Sequence, residues 1–446
     1  MDIKAIQSNI CMLYQKLIKL HRGNQMKAGE NHLLNLLSNN DVTFFIPPYQ
    51  RNYEWDKSQC KVFFNDIKRT AIDNINGQES EHFFGTIVYV KTDAIFGQPS
   101  KLVLTDGQQR ITTAMLFLVA IRDVVDDDSS KKFIDNKYLK NDNVTDDTEY
   151  KIKLKQVETD WEAYRNIILN LNLTDENKKS AVYLNYSYFL SELNKLKRED
   201  EIALIDMISY GLAKFSIVTI ELQPTQNKWE NPQEIFESMN SLGKALSLAD
   251  LVRNYLLLGK DNLYKDYWLH IEKQLPEEVS NFIRDFMQLI AGKDFKKAAA
   301  NNYKELYADF KYLFEDLDTE DLLSDLNKYS NYYSYIVLGK PSGSSKIDHK
   351  LRDLRTIGVT IVYSFLLGLL NNWKEEKLNE QDVVDILDSL KVYFLRRRIL
   401  KLTQGENKNF PPLVKEIDRL ANSVDKKQSM FEILASQENS LRLPND

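Results

Sequence analysis

The sequence predicts an α+β fold, and three observations carry that expectation. Runs with the alternation or β-branched content of strands occur only in the first half, at residues 42–46, 83–90, 102–104 and 215–222. From residue 232 onward nearly every window has the spacing of helices. At 446 residues the chain exceeds one ordinary core. Strands early and helices late place an α+β domain over residues 1–255 and a mainly α-helical domain over 256–446.

Taken in order, residues 1–40 read as helical, with Leu13, Leu17 and Leu20 and then Leu33, Leu34, Leu36 and Leu37 at compatible spacing. The strand at 42–46 stops at Pro47-Pro48, because proline cannot donate to a ladder. Residues 58–72 form an amphipathic helix whose apolar set is Val62, Phe63, Ile67 and Ile72. Two strands follow, separated by a polar loop with Gly97 and Pro99. Residues 108–125 then change period and are apolar on nearly every face from Ile111 to Ile121, the pattern of a central, buried helix whose polar part is its first turn. Residues 126–180, rich in Asp, Lys and Asn, read as an irregular, solvent-exposed insertion. Helices resume at Ala181, and 215–222 is the last strand.

Composition excludes several classes. Hydrophobic residues at 43% and charged residues at 28% give a soluble globular balance. The longest apolar run, 357–370, is too short to span a bilayer and reads as one buried helix. No basic region followed by an apolar stretch opens the chain, so no signal peptide is expected. Two cysteines without paired spacing and five scattered histidines argue against disulfides, a zinc site or a His-rich nuclease centre. They fit a reducing cytoplasm, and carboxylate-bound magnesium stays open. With a net charge of −6, any nucleic-acid contact needs a local basic patch. P-loop, dinucleotide-fold and nucleophile-elbow signatures are all missing from the sequence.

Four strings carry chemistry. Asp106-Gly107-Gln108-Gln109-Arg110 follows a strand and opens the apolar helix. Asp106 can cap that helix, and Gly107 permits a sharp turn and a close approach. The helix N-terminus favours an anion, Arg110 offers a fork suited to phosphate, and Gln108 and Gln109 can read a base, a ribose or a water. The alternative is a capped helix with merely solvated polar residues. In Pro47-Pro48-Tyr49-Gln50-Arg51 the prolines predict an extended backbone. Tyr49, Tyr53 or Trp55 can stack on a base and Arg51 can neutralise phosphate, or the aromatics simply pack. Residues 236–250 read as a helix, a turn at Asn240 and Gly243, and a Ser247-x-x-Asp250 cap. The helix at 391–401 concentrates Arg396, Arg397, Arg398 and Lys401 with Tyr393 and Phe394 interleaved, a candidate DNA-backbone contact.

Together these strings resemble the N-terminal domain of the GmrSD family of modification-dependent restriction enzymes. The matching residues are 46–55, His82-Phe83-Phe84-Gly85-Thr86-Ile87, 105–113 and 235–254, with weaker similarity at 282–286 and 393–411. The resemblance implies a ParB- and sulfiredoxin-like α+β fold for the first part. It also implies nucleoside triphosphate binding and hydrolysis at Asp-Gly-Gln-Gln-Arg, with or without magnesium, linked to cleavage of modified foreign DNA. Related defence proteins that sense phosphorothioate DNA share the arrangement. Carried over, catalysis would involve Asp106, Gln108, Gln109 and Arg110, and nucleotide binding Tyr49, Gln50, Arg51, Gly107 and Asn240.

Fused members continue into a His-Asn-His-type nuclease domain. Here no histidine follows His349, so the nuclease is expected in a separate polypeptide or beyond this sequence, and cleavage by this chain alone is not expected. The resulting expectation is a nucleotide-hydrolysing sensor module of an anti-phage restriction system, with modified DNA and a nuclease as partners. The rival is a non-enzymatic DNA-binding module that recruits or controls the nuclease, and a third option is direct nuclease action by the ParB-like domain. Self-association is left open.

Overall fold

A computed structural model describes residues 27–92, 99–141, 144, 150–222, 246–258, 260–295, 302–402 and 410–436. The chain divides into two compact units, Met1–Ser241 and Leu242–Asp446.

The first unit is built on a mixed six-stranded sheet in the order β1-β6-β3-β4-β2-β5. The strands are β1 (Lys27–His32), β2 (Val42–Phe45), β3 (His82–Lys91), β4 (Ser100–Asp106), β5 (Leu154–Lys155) and β6 (Phe215–Leu222). β1 runs antiparallel to β6 and β3 antiparallel to β4, while β6 with β3, β4 with β2 and β2 with β5 are parallel. Among the described residues the unit's longer α-helices are α1 (Leu33–Leu37), α2 (Lys57–Ile75), α3 (Gln108–Val124), α4 (Asp128–Ile134), α5 (Glu158–Ile168) and α6 (Ala181–Glu199). The α+β expectation holds.

α3 is the axis of this unit. Every residue from Ile111 to Ile121 is essentially inaccessible, so the helix has no solvent face, as its sequence predicted. It packs against α6, and Phe117 meets Phe63 and Phe64 of α2 and Phe189 of α6 at ring-centroid distances of 5.6–6.2 Å. α2 begins at Asp56 with a capping box completed by Gln59. Its Val62 is 62% exposed, contrary to its predicted place in the apolar set.

Three further expectations change. Residues 27–32 are a strand rather than helix, because β6 offers a complete antiparallel ladder from Lys27↔Glu221 to His32↔Ser216. The predicted exposed insertion is largely folded in: α4, β5 and α5 lie within it, and Ile134, Leu139, Ile152, Leu154, Tyr164, Ile167 and Ile168 join the core. Its charged residues are built in as well. Lys153 is wholly buried, and its ammonium donates to the carbonyls of Leu37 and Lys137 and to Asn40 Oδ1. At the last turn of α3, buried Arg122 binds Asp123, Asp135 and the carbonyls of Ile167 and Ile168. The helix therefore has a second polar end that its apolar run concealed.

The second unit is helical throughout its described residues. Its longer helices are α7 (Leu248–Leu257), α8 (Val279–Ala291), α9 (Tyr303–Phe314), α10 (Thr319–Val337), α11 (Ser345–Ile357), α12 (Tyr363–Lys374), α13 (Glu380–Ile399) and α14 (Lys426–Ser436). The apolar run 357–370 is not one helix: Gly358, in the left-handed region at φ 71°, ends α11, and α12 starts at Tyr363. Among the described residues no helix is long and apolar enough to cross a membrane.

Candidate nucleotide site at the mouth of α3

The turn that opens α3 follows from its glycine. Gly107 is the N-cap at φ 93°, and a β-carbon there would come within 3.0–3.2 Å of Ile87 and the Thr86 carbonyl. Only glycine satisfies both the backbone angle and the contact. The first helical bond runs from the Ile111 N–H to the Gly107 carbonyl at 3.0 Å. No side chain caps the helix, so Asp106 does not play the capping role expected of it. Asp106 ends β4 instead, its carboxylate 3.7 Å from Arg110. The first-turn amides of a helix without a solvent face are thus left to a ligand or to water.

The two sequence strings meet here. Gln50 Nε2 donates to the Thr105 carbonyl at 3.4 Å, and the Gln109 amide grips the following loop at both ends. Its oxygen accepts from the Glu54 and Trp55 N–H groups at 2.8 and 3.3 Å, and its nitrogen donates to the Asn52 carbonyl at 2.9 Å. Gln108 differs. It is 7% exposed, and its buried Oε1 has no hydrogen-bond partner among the described residues. A buried acceptor left open costs about 1–3 kcal/mol, so neighbouring glutamines have opposite duties. One is a brace, the other a buried acceptor without a partner among the described residues.

The proline string is not extended: the Gln50 N–H reaches the Pro47 carbonyl at 3.0 Å and closes a turn. Tyr49 and Gln50 are both buried as a result, whereas the expected extended backbone would point them to opposite sides. Arg51 is partly exposed and pairs with Glu54 at 3.3 Å. Tyr53 is buried and committed, its hydroxyl 2.7 Å from Thr113 Oγ1, which itself donates to the Gln109 carbonyl. Burial pushes the Tyr53 hydroxyl well above the ordinary tyrosine range. Trp55 packs edge-on against Phe84. Stacking on a base is thereby closed to Tyr53.

Sequence reasoning missed the residues that hold this loop from behind. Asp160, at the start of α5, accepts the Tyr53 N–H at 2.6 Å, and Thr159 donates to Asn52 Oδ1 at 2.7 Å. Asn185 of α6 donates to the Trp55 carbonyl at 2.6 Å. Desolvation by burial raises the Asp160 carboxyl to about 6, against the lowering effect of the Tyr53 N–H. Nothing in the charged stretch around Asp160 signals this duty. Gly85 and Thr86, which lie against Arg110, do fall in a string that the sequence singled out.

A family model for the N-terminal domain of the GmrSD restriction endonuclease matches residues 33–257, half of the chain. The chain belongs to the GmrSD restriction endonuclease family. It is therefore a component of a restriction system, and DNA is the substrate class of its family. Among curated proteins none matches this sequence. Within this GmrSD-family domain the match takes in β2 to β6, the α3 mouth and α7.

Asn240 lies outside the described residues. Ser247 and Asp250 form the predicted capping box of α7, with Asp250 also bound to the nearly buried Arg253 at 2.8 Å. On α13 the basic run sorts by helix phase. Arg396 and Arg398 are exposed, whereas Arg397 is 1% exposed, lies over the Tyr393 ring and donates to the Leu402 carbonyl. Tyr393 and Phe394 are core residues, not part of a binding face, because they share Arg397's side of the helix. Lys401 is exposed just past the helix end. Among the described residues no group of three or more His, Cys, Asp or Glu side chains is placed to hold a metal.

Proposed function

We propose that the first unit binds and hydrolyses a nucleoside triphosphate at the mouth of α3, as the sensor module of a restriction system that acts on modified DNA. The observation that carries this reading is the vacant, buried Gln108 acceptor at an uncapped helix N-terminus beside Arg110. Backbone N–H groups, the helix dipole and a guanidinium all favour phosphate oxygens. An acceptor set among them is useless to an anion and needs a donor, which a water molecule supplies. Gln108 Oε1 then orients that water toward the γ-phosphorus. As the water oxygen bonds to the γ-phosphorus, the bond to the β–γ bridging oxygen breaks, that oxygen leaves with the nucleoside diphosphate, and the water's proton passes to a γ-phosphate oxygen and then to solvent, a reaction that depends on placement more than on covalent help.

Arg110 and Arg51 hold phosphate charge in this reading. Tyr49, Gln50 and Gly107 shape the pocket, and Gln109 acts by fixing the loop that carries Arg51. Magnesium, where it accompanies the nucleotide, has Asp106 as the carboxylate of the turn. Arg396, Arg398 and Lys401 are the residues assigned to the DNA backbone, and the signal passes to a nuclease domain or subunit.

The test is phosphate release from each nucleoside triphosphate, with and without modified DNA. The wild-type chain is expected to release phosphate and Arg110→Ala to lose that activity. Arg110 contributes one hydrogen bond to Thr86 and a partly exposed pair with Asp106, so its loss costs about 1 kcal/mol, or about 2–4 °C of melting temperature. Unchanged turnover in the mutant overturns the reading. Zero release with every nucleotide, alongside tight DNA binding, favours a non-enzymatic DNA-binding module.

A further inference from the structure

The string at 82–87 has no part in the proposed chemistry, yet its glycine meets Arg110. In β3 the register against β6 shifts between Phe83 and Gly85, and Gly85 takes φ +107°, a conformation that L side chains rarely adopt. A β-carbon built on Gly85 would lie 3.0 Å from Arg110 Nε, 3.1 Å from Cζ and 3.4 Å from Nη2. The guanidinium therefore lies against the bare α-carbon of Gly85. One residue on, the Thr86 carbonyl accepts from Arg110 Nη1 at 2.5 Å, and Asp106 Oδ2 is 3.7 Å from the same nitrogen. An arginine at a helix end ordinarily samples many rotamers. This one has a flat seat, an acceptor and a counter-charge, all from neighbouring strands.

We propose that Gly85 is a positioning residue for the phosphate site: its missing side chain, with the Thr86 carbonyl, forms the seat that fixes the Arg110 fork beside the Asp106–Gly107 turn. The proposal rests on the nucleotide reading for its functional consequence, since a fork fixed in advance spares a ligand the cost of ordering it. The nearest atoms to a β-carbon at Gly85 are all in the Arg110 guanidinium, so alanine there crowds the fork first.

The control is Gly77, another left-handed glycine at φ +78° with nothing within 4 Å of its would-be β-carbon. Triphosphate affinity of the full chain is measured by calorimetry for wild type, Gly77→Ala, Gly85→Ala, Arg110→Ala and the Gly85→Ala/Arg110→Ala double variant. Gly77→Ala is expected to bind like wild type and Gly85→Ala at least tenfold more weakly. The double variant should bind within twofold of Arg110→Ala, because the group that the alanine displaces is gone. Equal binding by the two alanine variants, or a Gly85 loss that persists in full without the arginine, overturns the proposal. Should wild type bind no triphosphate, the nucleotide reading has failed and the seat is read from melting curves alone. Gly85→Ala must then melt lower than Gly77→Ala, and adding Arg110→Lys, which removes the planar fork, must abolish most of that difference. Failure of that rescue overturns the seat itself.

Discussion

Replacing each of two adjacent glutamines with methionine, a side chain of similar length without an amide, separates brace from vacancy. Gln109→Met removes three hydrogen bonds to the 52–55 loop, to Asn52 O, Glu54 N and Trp55 N. Asn52 and Glu54 are exposed enough for water to take over part of the loss. At about 1 kcal/mol for each bond, the cost is about 3 kcal/mol, or about 6–12 °C of melting temperature for a unit of this size. Gln108→Met removes a carbonyl that has no partner, so no folded-state bond is lost and a buried polar atom becomes apolar. Its melting temperature is expected to be unchanged or about 2–4 °C higher, while phosphate release is lost. Calorimetric melting with a phosphate-release assay on the same samples reads both effects. If Gln108→Met destabilises as much as Gln109→Met, Gln108 is structural and the argument from a vacant acceptor fails.

Two further outcomes follow from the geometry. Because burial holds the Asp160 carboxyl at about 6 against an ordinary 3.8, the folded protein binds the extra proton between those values. The stability this group contributes is thus present below pH 3.8 and lost as pH rises through 6, a change of about 3 kcal/mol at most. Asp160→Asn, which keeps an oxygen for the Tyr53 N–H, should be more stable than wild type at pH 7.5 and equal to it near pH 3.5 in denaturant titrations; a constant difference would contradict this. On α13, Arg396→Ala/Arg398→Ala should lower the slope of log affinity for duplex DNA against log salt by about 2, with a small loss of melting temperature because Arg398 donates to the Gly358 carbonyl, whereas Arg397→Ala should lower melting more with no change in slope. Equal slopes in wild type and the exposed-pair variant would remove the DNA assignment.

Where period and composition agreed, the sequence was readable. The β-branched runs became β2, β3, β4 and β6, and the unbroken apolar stretch after Gln108-Gln109-Arg110 became the buried α3. β1 escaped because Lys-Ala-Gly-Glu-Asn-His has no intrinsic strand preference; a ladder supplied by β6, nearly 190 residues away, decides it. Residues 126–180 misled for a different reason. Average composition counts Lys153 and Asp160 as solvated, but tertiary acceptors and donors satisfy them inside. The basic run was legible in principle: Ile386, Leu390 and Tyr393 recur at spacings of four and three, and Arg397 continues that buried stripe. Which glutamine of Gln108-Gln109 is the brace was not legible, because it depends on where a loop 55 residues earlier lies.

The folding of residues 126–180 into the first unit bears on why the loop at 52–55 is held in one place. A loop held only by its own prolines would leave Arg51 to wander. Here the loop is pinned from α3 by Gln109, from α5 by Asp160 and Thr159, and from α6 by Asn185. α5 is in turn fixed to the far end of α3, where Arg122 donates to the Ile167 and Ile168 carbonyls. The same helix thus presents the turn proposed to hold phosphate at one end and anchors its supporting helix at the other. A rigid, fully buried rod makes that arrangement stiff, because shifting its first turn requires repacking Phe117 against Phe63, Phe64 and Phe189. The charged stretch that sequence alone sets aside as an insertion is, on this geometry, a support of the 52–55 loop beside the proposed site.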